Sequence, residues 1–323
     1  GGRGWLLLIV ALIPVALLSV AVFTRSTADS SMAQRVALWR DVVTLIEHNP
    51  WFGVGWGQLN FAWTLTPFAG RAPDVFDHAH SLPLQLAVEL GVPVTAVVLG
   101  LVAHGIWHIA RALIADPSRE TATVAMLLAV ILIHSLLEYP LWFSYFLLPS
   151  AFLYAWLARM SHSDATGDTN RTRPPQRAAI VAAASAAALC FASTLFAASE
   201  YQKATAIYHN AQNRPALTRA VTTARESTLY GHFGDYAAIM LAGDGATLSM
   251  FDRPTRHVLD ERLLTAWARA LARNGETERA AFVVARAKEF PPNALFNDLP
   301  KEDFAAPRSA SAVTLTPSDF RRR

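Results

Sequence analysis

His78-Ala79-His80-Ser81-Leu82-Pro83-Leu84-Gln85-Leu86-Ala87-Val88-Glu89-Leu90-Gly91 is the stretch on which the fold turns. Two histidines stand at its start, and an apolar run continues from it to about Trp107. Ser81, Gln85 and Glu89 recur at four-residue intervals, so a helix carries all three on one face. In a bilayer that face cannot be turned to lipid; it must meet protein or a wet cavity. The stretch therefore predicts a helix that enters a membrane with a polar stripe directed inward and its histidines at the membrane edge.

Composition extends this reading to the rest of the chain. Of 323 residues, 53% are hydrophobic and only 16% charged, where a soluble domain carries about a quarter charged residues. The deficit is concentrated in five stretches, roughly 5–23, 84–107, 122–137, 141–158 and 178–198. Each is near the ~17–25 residues that a spanning helix needs. Trp5 to Phe23 is long for the apolar part of a signal peptide and lacks a clear small-x-small cleavage site. The expected fold class is all-α: a polytopic membrane helical bundle with about five transmembrane helices. The chain has no initiator Met, from which we expect a fragment lacking an N-terminal part.

Other classes are excluded. The one cysteine, Cys190, allows no intrachain disulfide. A net charge of +3, widely dispersed, gives no footprint for nucleic acid. The sequence has no GKS/T phosphate loop, zinc-finger spacing or HExxH.

Positive residues in short loops stay cytoplasmic. Residues 108–121 carry Arg111 and Arg119, and residues 159–177 carry Arg159, Arg171, Arg173 and Arg177. With both connections inside, Arg3 is inside too. The slightly acidic loop 24–80, the tight Glu138-Tyr139-Pro140 connection and everything after residue 198 fall outside. His80 then opens onto the outer face.

The expected organisation is a membrane region over 1–198, containing the outer loop 24–80, an outer helical domain over 199–304, and a disordered tail over 305–323. Residues 31–48 read as an amphipathic helix, with Val36, Leu38, Trp39, Val42, Val43, Leu45 and Ile46 as its apolar positions. Asn49-Pro50 ends it. Gly53-Val54-Gly55-Trp56-Gly57-Gln58 follows and admits two readings: a tight, aromatic-lined turn, or exposed backbone N–H groups that hold a phosphate. Arg40 is a solvated charge or a substrate contact. His134 and Glu138, four apart, share a helical face, either to bind substrate and orient His80 or as a structural helix-end pair. By ligand type, His78, His80, His134 and Glu138 could hold a metal, but no local pair has a metal-site spacing. Residues 161–177 form a flexible linker rich in Ser, Asp, Thr, Arg and Pro. Residues 199–225 and 258–290 read as helical, the second resembling a tetratricopeptide helical pair around Gly275 with Pro291-Pro292 at its end.

Four phrases together resemble the O-antigen ligase and polymerase superfamily, particularly its bacterial O-linked oligosaccharyltransferase branch. They are Arg35-x-x-x-Trp39, the run from His48-Asn49-Pro50 to Gln58, His78-Ala79-His80-Ser81-Leu82-Pro83-Leu84-Gln85-Leu86, and His134-Ser135-Leu136-Leu137-Glu138-Tyr139-Pro140-Leu141-Trp142. They lie within about residues 30–158. The resemblance implies an inverting, metal-independent glycosyltransferase that requires no cofactor. It would take a glycan from an undecaprenyl-diphosphate carrier at the periplasmic face of the bacterial inner membrane. The acceptor would be a protein Ser/Thr hydroxyl, a lipid A-core sugar or a growing glycan. The family's key histidine maps onto His80 and its loop arginine onto Arg35; Ser81 stands where many relatives have Asn.

On that resemblance His80 and Arg35 are the expected catalytic residues. A neutral imidazole is a base for the acceptor hydroxyl, and a guanidinium can grip the departing diphosphate. A protonated His80 binding the diphosphate itself remains an equal reading. His78, Ser81, Gln85, Glu89, His134, Glu138 and Arg40 are the expected substrate-binding residues. Two other classes stay open: a non-enzymatic membrane scaffold docking partners through its outer domain, and a transporter, which the few intramembrane charges and lack of an inverted repeat disfavour.

Overall fold

The structure, a computed structural model, describes residues 31–68, 70–72, 75–115, 118–163, 176–290 and 317–320. These fold into helices and turns, with no strand among the described residues. The expected first span (5–23) lies outside them, as does most of the expected linker and tail. The chain divides into two compact units.

The first unit begins with α1 (Ser31–His48), which buries Leu38, Val42 and Leu45 and leaves Val36 and Val43 exposed. Helix α2 (Leu59–Leu65) starts here and passes its remaining residues to the other unit. The stretch expected to form one helix from 84 to 107 forms two. A short α3 (Leu82–Leu90) stops at Gly91, and α4 (Val92–Ala115) carries the chain onward. The break has a local cause. Gly91 has φ 82°, and a Cβ there would lie 2.3 Å from the Trp51 carbonyl oxygen; only glycine fits. The Val92 N–H donates to the Pro50 carbonyl at 2.8 Å, which locks the break against the loop after α1. The polar stripe thus belongs to a short helix beside the span and not to the span itself.

Helix α5 (Arg119–His134) is capped by Ser118, whose hydroxyl accepts from Thr121 N–H at 3.2 Å. A 3₁₀ turn (Pro140–Trp142) leads into α6 (Ser144–Ser163). Length and composition qualify Val92–Ala115 and Ile180–His209 to cross a membrane. The 16 residues of α5 reach only about 24 Å at 1.5 Å per residue, short of the roughly 30 Å hydrocarbon core. In α6 the apolar part is Ser144–Ala158.

The second unit contains residues 60–67 and α7 (Gln176–His209), α8 (Arg214–Arg225), α9 (Gly231–Ala242), α10 (Glu261–Arg273) and α11 (Thr277–Ala287). The domain boundary expected at 198 falls inside α7, which runs unbroken to His209. Glu200 on α7 is buried and accepts from Ser227 Oγ at 2.8 Å and Thr228 N–H at 2.5 Å, fixing the turn after α8. Asp235 pairs with Arg225 and Arg253, joining α8, α9 and the following loop. Asp260 caps α10 through Leu263 N–H at 2.8 Å. Helix α10 buries Leu263, Leu264, Trp267, Ala268, Ala270 and Leu271, and the tight turn at Gly275 (φ 78°) returns the chain into α11. Residues 60–67 are built into this unit: Asn60 Oδ1 accepts from Leu259 N–H at 2.9 Å, and Trp63 meets Phe290 edge-on at 5.8 Å. Within the stretch expected to be disordered, Pro317–Phe320 form a 3₁₀ turn whose Phe320 ring packs against Trp267 and Phe282.

Candidate functional site

Three segments of the first unit converge. Helix α1 presents Arg35 and, one turn on, Trp39. The loop before α3 brings Asp77, His78 and His80. The turn after α5 brings Glu138 and Tyr139. Leu82 N–H donates to the Ser135 carbonyl at 2.9 Å, tying the start of α3 to that turn.

At the meeting point Glu138 serves two partners. Its Oε1 accepts from the Arg35 guanidinium at 2.5 Å, and the His80 Nδ1 lies 3.0 and 3.1 Å from its two oxygens. A carboxylate has no proton to give, so Nδ1 carries the hydrogen and Nε2 keeps its lone pair. All three side chains remain about a quarter exposed (24%, 26% and 22% for Arg35, Glu138 and His80), open enough for a substrate to reach. Burial is the first cause that lowers the His80 pKa below its usual 6.5; His78 and Arg35 add to it, and Glu138 opposes it. The ring is therefore neutral near pH 7. His80 also has φ 48°, the one positive φ at a non-glycine residue among those described. Such strain persists only where surrounding structure holds it, and it clusters at functional sites.

The His78 ring lies tilted against those of His80 (4.1 Å) and Tyr139 (3.9 Å), and its Nδ1 bonds Asp77. That bond is the leading cause that lowers the Asp77 pKa, while burial raises Tyr139. The ligand atoms of His78, His80 and Glu138 lie within 4.8 Å of one another, a set that could hold a metal ion by type. The Arg35 cation on the same carboxylate opposes a second positive charge there.

Several expected site residues do other work. Helix α5 ends at His134, which is exposed and outside the Arg35–Glu138–His80 group; Glu138 reaches across to Arg35 and His80 instead. Arg40 bonds the Gly70 carbonyl and Asp41, away from the cluster. Ser81 is the N-cap residue of α3, but its side chain makes no capping bond. Gln85 and Glu89 are buried, at 3% and 2% exposure. Gln85 Oε1 accepts from Ala79 N–H at 2.7 Å. Glu89 accepts from the Gln85 side chain and the N–H groups of Gly57 and Leu59, while burial pushes its carboxyl up.

The glycine run forms a turn whose N–H groups bond within the protein. Val54 N–H donates to the Val88 carbonyl at 2.7 Å and Gly55 N–H to the Glu89 carbonyl at 3.0 Å. With Gly53 on Asn49, Gln58 on Gly55 and Gly57 and Leu59 on the Glu89 carboxylate, these donors are spent within the protein. They cap α3, which favours the structural reading of the turn over a phosphate cradle. Trp56 stacks on Trp142 at 4.5 Å, joining this turn to the one after α5.

Sequence reasoning missed three contributors: Trp39, whose Nε1–H donates to the Ala79 carbonyl at 2.8 Å, Asp77 and Tyr139. Trp39 and Tyr139 stood inside the quoted phrases, so the signal was present without a role attached.

Comparison with known proteins finds likenesses of sequence and family. The family described as virulence factor membrane-bound polymerase, C-terminal, matches residues 122–298, more than half the chain. The O-antigen ligase family matches residues 2–99. The chain is 31% identical over 136 residues to a general O-oligosaccharyltransferase of Acinetobacter baylyi, covering 40% of this chain and 23% of that protein. It is 26% identical over 141 residues to a ComP-specific O-oligosaccharyltransferase of the same organism, covering 43% and 25%. The chain thus spans about a quarter of the length of the curated relatives it matches. No solved structure matches it. Site phrases, family matches and relatives converge: the chain belongs to the O-antigen ligase superfamily, on the branch that holds the O-oligosaccharyltransferases.

Proposed function

We propose that this chain carries the reactive centre of an inverting membrane glycosyltransferase. It moves a glycan from an undecaprenyl-diphosphate carrier to an acceptor hydroxyl, on a protein Ser/Thr or a lipid A core, at the periplasmic face of the inner membrane. On its apolar stretches this portion of the bundle has about five spans, the charge pattern of the loops sets their orientation, and the outer helical unit is tetratricopeptide-like and docks partners. The observation that carries the reading is the His80 Nδ1 on the Glu138 carboxylate at 3.0 Å, in a residue held at positive φ.

The chemistry follows from that bond. Glu138 fixes the tautomer, so Nε2 is the free base. As the acceptor oxygen bonds to the anomeric carbon, Nε2 takes the hydroxyl proton. The bond from that carbon to the diphosphate oxygen breaks, and the diphosphate leaves with the electron pair. The imidazolium formed on His80 is stabilised by the Glu138 charge, as an acid–histidine pair allows. Arg35 holds Glu138 through one nitrogen and has further N–H donors for the leaving diphosphate. A neutral resting His80 favours the base role over binding diphosphate as a cation.

The test is glycan transfer by the full-length protein in membranes, with His80→Ala and Arg35→Ala at matched abundance. Each is expected to lose roughly 10²-fold or more; wild-type transfer by both contradicts the assignment. A polymerase is the second reading, favoured by the polymerase family match over residues 122–298. Purified lipid-linked glycan, supplied with or without a pilin-like protein acceptor, separates the two. A scaffold predicts instead that removing residues 199–323 abolishes function while His80→Ala does not.

A further inference from the structure

Ala79 has no reactive side chain, yet its backbone is gripped from both sides. Its N–H donates to Gln85 Oε1 at 2.7 Å, and its carbonyl accepts from Trp39 Nε1 at 2.8 Å. Ala79 and Gln85 are both buried. The next residue is His80, at φ 48°. Behind Gln85 stands Glu89, itself anchored by the Gly57 and Leu59 N–H groups of the glycine-rich turn. Hydrogen bonds thus run from that turn, through Glu89 and Gln85, to the peptide that precedes the strained histidine. From the other side α1 supplies Trp39, one turn after Arg35.

We propose that Trp39 and Gln85 are positioning residues that hold the Ala79–His80 backbone in its left-handed conformation and thereby keep the His80 Nδ1 on Glu138. Freed of either bond, His80 returns to the negative φ that side chains prefer, and its ring leaves the carboxylate. The polar face of α3 therefore acts on the base and not on the substrate. The proposal rests on His80 being the base.

The experiment measures transfer kinetics of the full-length protein in membranes for Trp39→Phe, Gln85→Leu and Gln85→Glu, with His80→Ala alongside. Trp39→Phe, on α1, removes the bond to the Ala79 carbonyl, and Gln85→Leu, on α3, removes the bond from Ala79 N–H together with the one to Glu89. Each is expected to lower kcat roughly 10- to 100-fold, as a misplaced catalytic group does, with the KM for lipid-linked donor unchanged. The acid limb of the rate moves up toward the free imidazole value, because burial is the first cause holding His80 low. The charged and titratable neighbours that set this limb are Arg35 from α1, Asp77 and His78 from the loop, and Glu138 and Tyr139 from the turn after α5. Gln85→Glu loses the donor to Glu89 as Gln85→Leu does but retains an acceptor for Ala79 N–H, so it is expected to transfer faster than Gln85→Leu. Losses proportional to protein abundance with an unmoved pH profile overturn the proposal, and so does a rise in KM alone. Full activity in His80→Ala defeats the base reading itself. Inactive His80→Ala beside wild-type Trp39→Phe and Gln85→Leu defeats the positioning role alone.

Discussion

In the proposed mechanism Glu138 selects the His80 tautomer and supplies the charge that a protonated imidazole needs. Glu138→Gln keeps an oxygen near Nδ1 but removes that charge and leaves Arg35 without its counter-ion. We expect transfer to fall roughly 10²-fold or more, by the logic of an amide replacing the acid behind a catalytic histidine. The sign of the accompanying pH shift is fixed. Glu138 raises the His80 pKa, so its loss lets burial and Arg35 lower it further, and the acid limb of the rate moves down. Trp39→Phe moves it up, so opposite shifts distinguish a lost charge from a lost position. His80 and Arg35 were legible in the sequence because their phrases carry a family resemblance. Glu138 was legible as a group to orient His80, but its bond to Arg35 was not. The interval from His134 to Glu138 suggested a pair on one helical face, but α5 ends at His134 and the following turn directs Glu138 across to α1 and the loop before α3.

Gly91 decides how the elements of the first unit join. Hydropathy reads 84–107 as one span because apolar residues continue across it. Gly91 and Pro93 were the punctuation: a glycine suits a helix end, and proline suits a first turn. What the sequence could not show is the reason, a backbone approach to Trp51 forty positions earlier. Gly91→Ala forces a Cβ to 2.3 Å from the Trp51 carbonyl at φ 82°, a clash worth more than the roughly 1–3 kcal/mol of backbone strain alone. We expect folded protein in the membrane to fall sharply. Gly100→Ala, where a Cβ meets nothing within 4 Å, is expected to leave it unchanged. Protease resistance of membrane-inserted protein checks both. The same break explains the polar stripe, for a helix beside the span can bury Gln85 and Glu89 against backbone donors that a spanning helix would lack.

Across the whole molecule, the all-helical character and the apolar segments were legible from composition, and helix 31–48 from its amphipathic pattern. The incorporation of residues 60–67 into the second unit was not, since it depends on Asn60 and Trp63 meeting Leu259 and Phe290 some two hundred residues on. This second unit carries its own pH dependence. His232 stacks on His257 at 4.3 Å, and burial, with His257 and Arg253, lowers its pKa to about 4. Folded His232 stays neutral where the unfolded chain binds a proton. Its stabilising contribution is therefore complete above the unfolded value of 6.5 and is lost as pH falls from there through about 4. Hydrogen exchange of α9 in the full-length protein is expected to quicken across that window, and to do so less in His232→Phe. In the other unit, we propose His80 as the base for glycan transfer. Its most direct test is the transfer rate from purified lipid-linked glycan in proteoliposomes, followed across pH for wild type and His80→Ala. The wild-type rate is expected to fall on the acid side of 6.5 and the His80→Ala rate to stay near background throughout; a His80→Ala enzyme with the wild-type rate and profile would rule out His80 as the base.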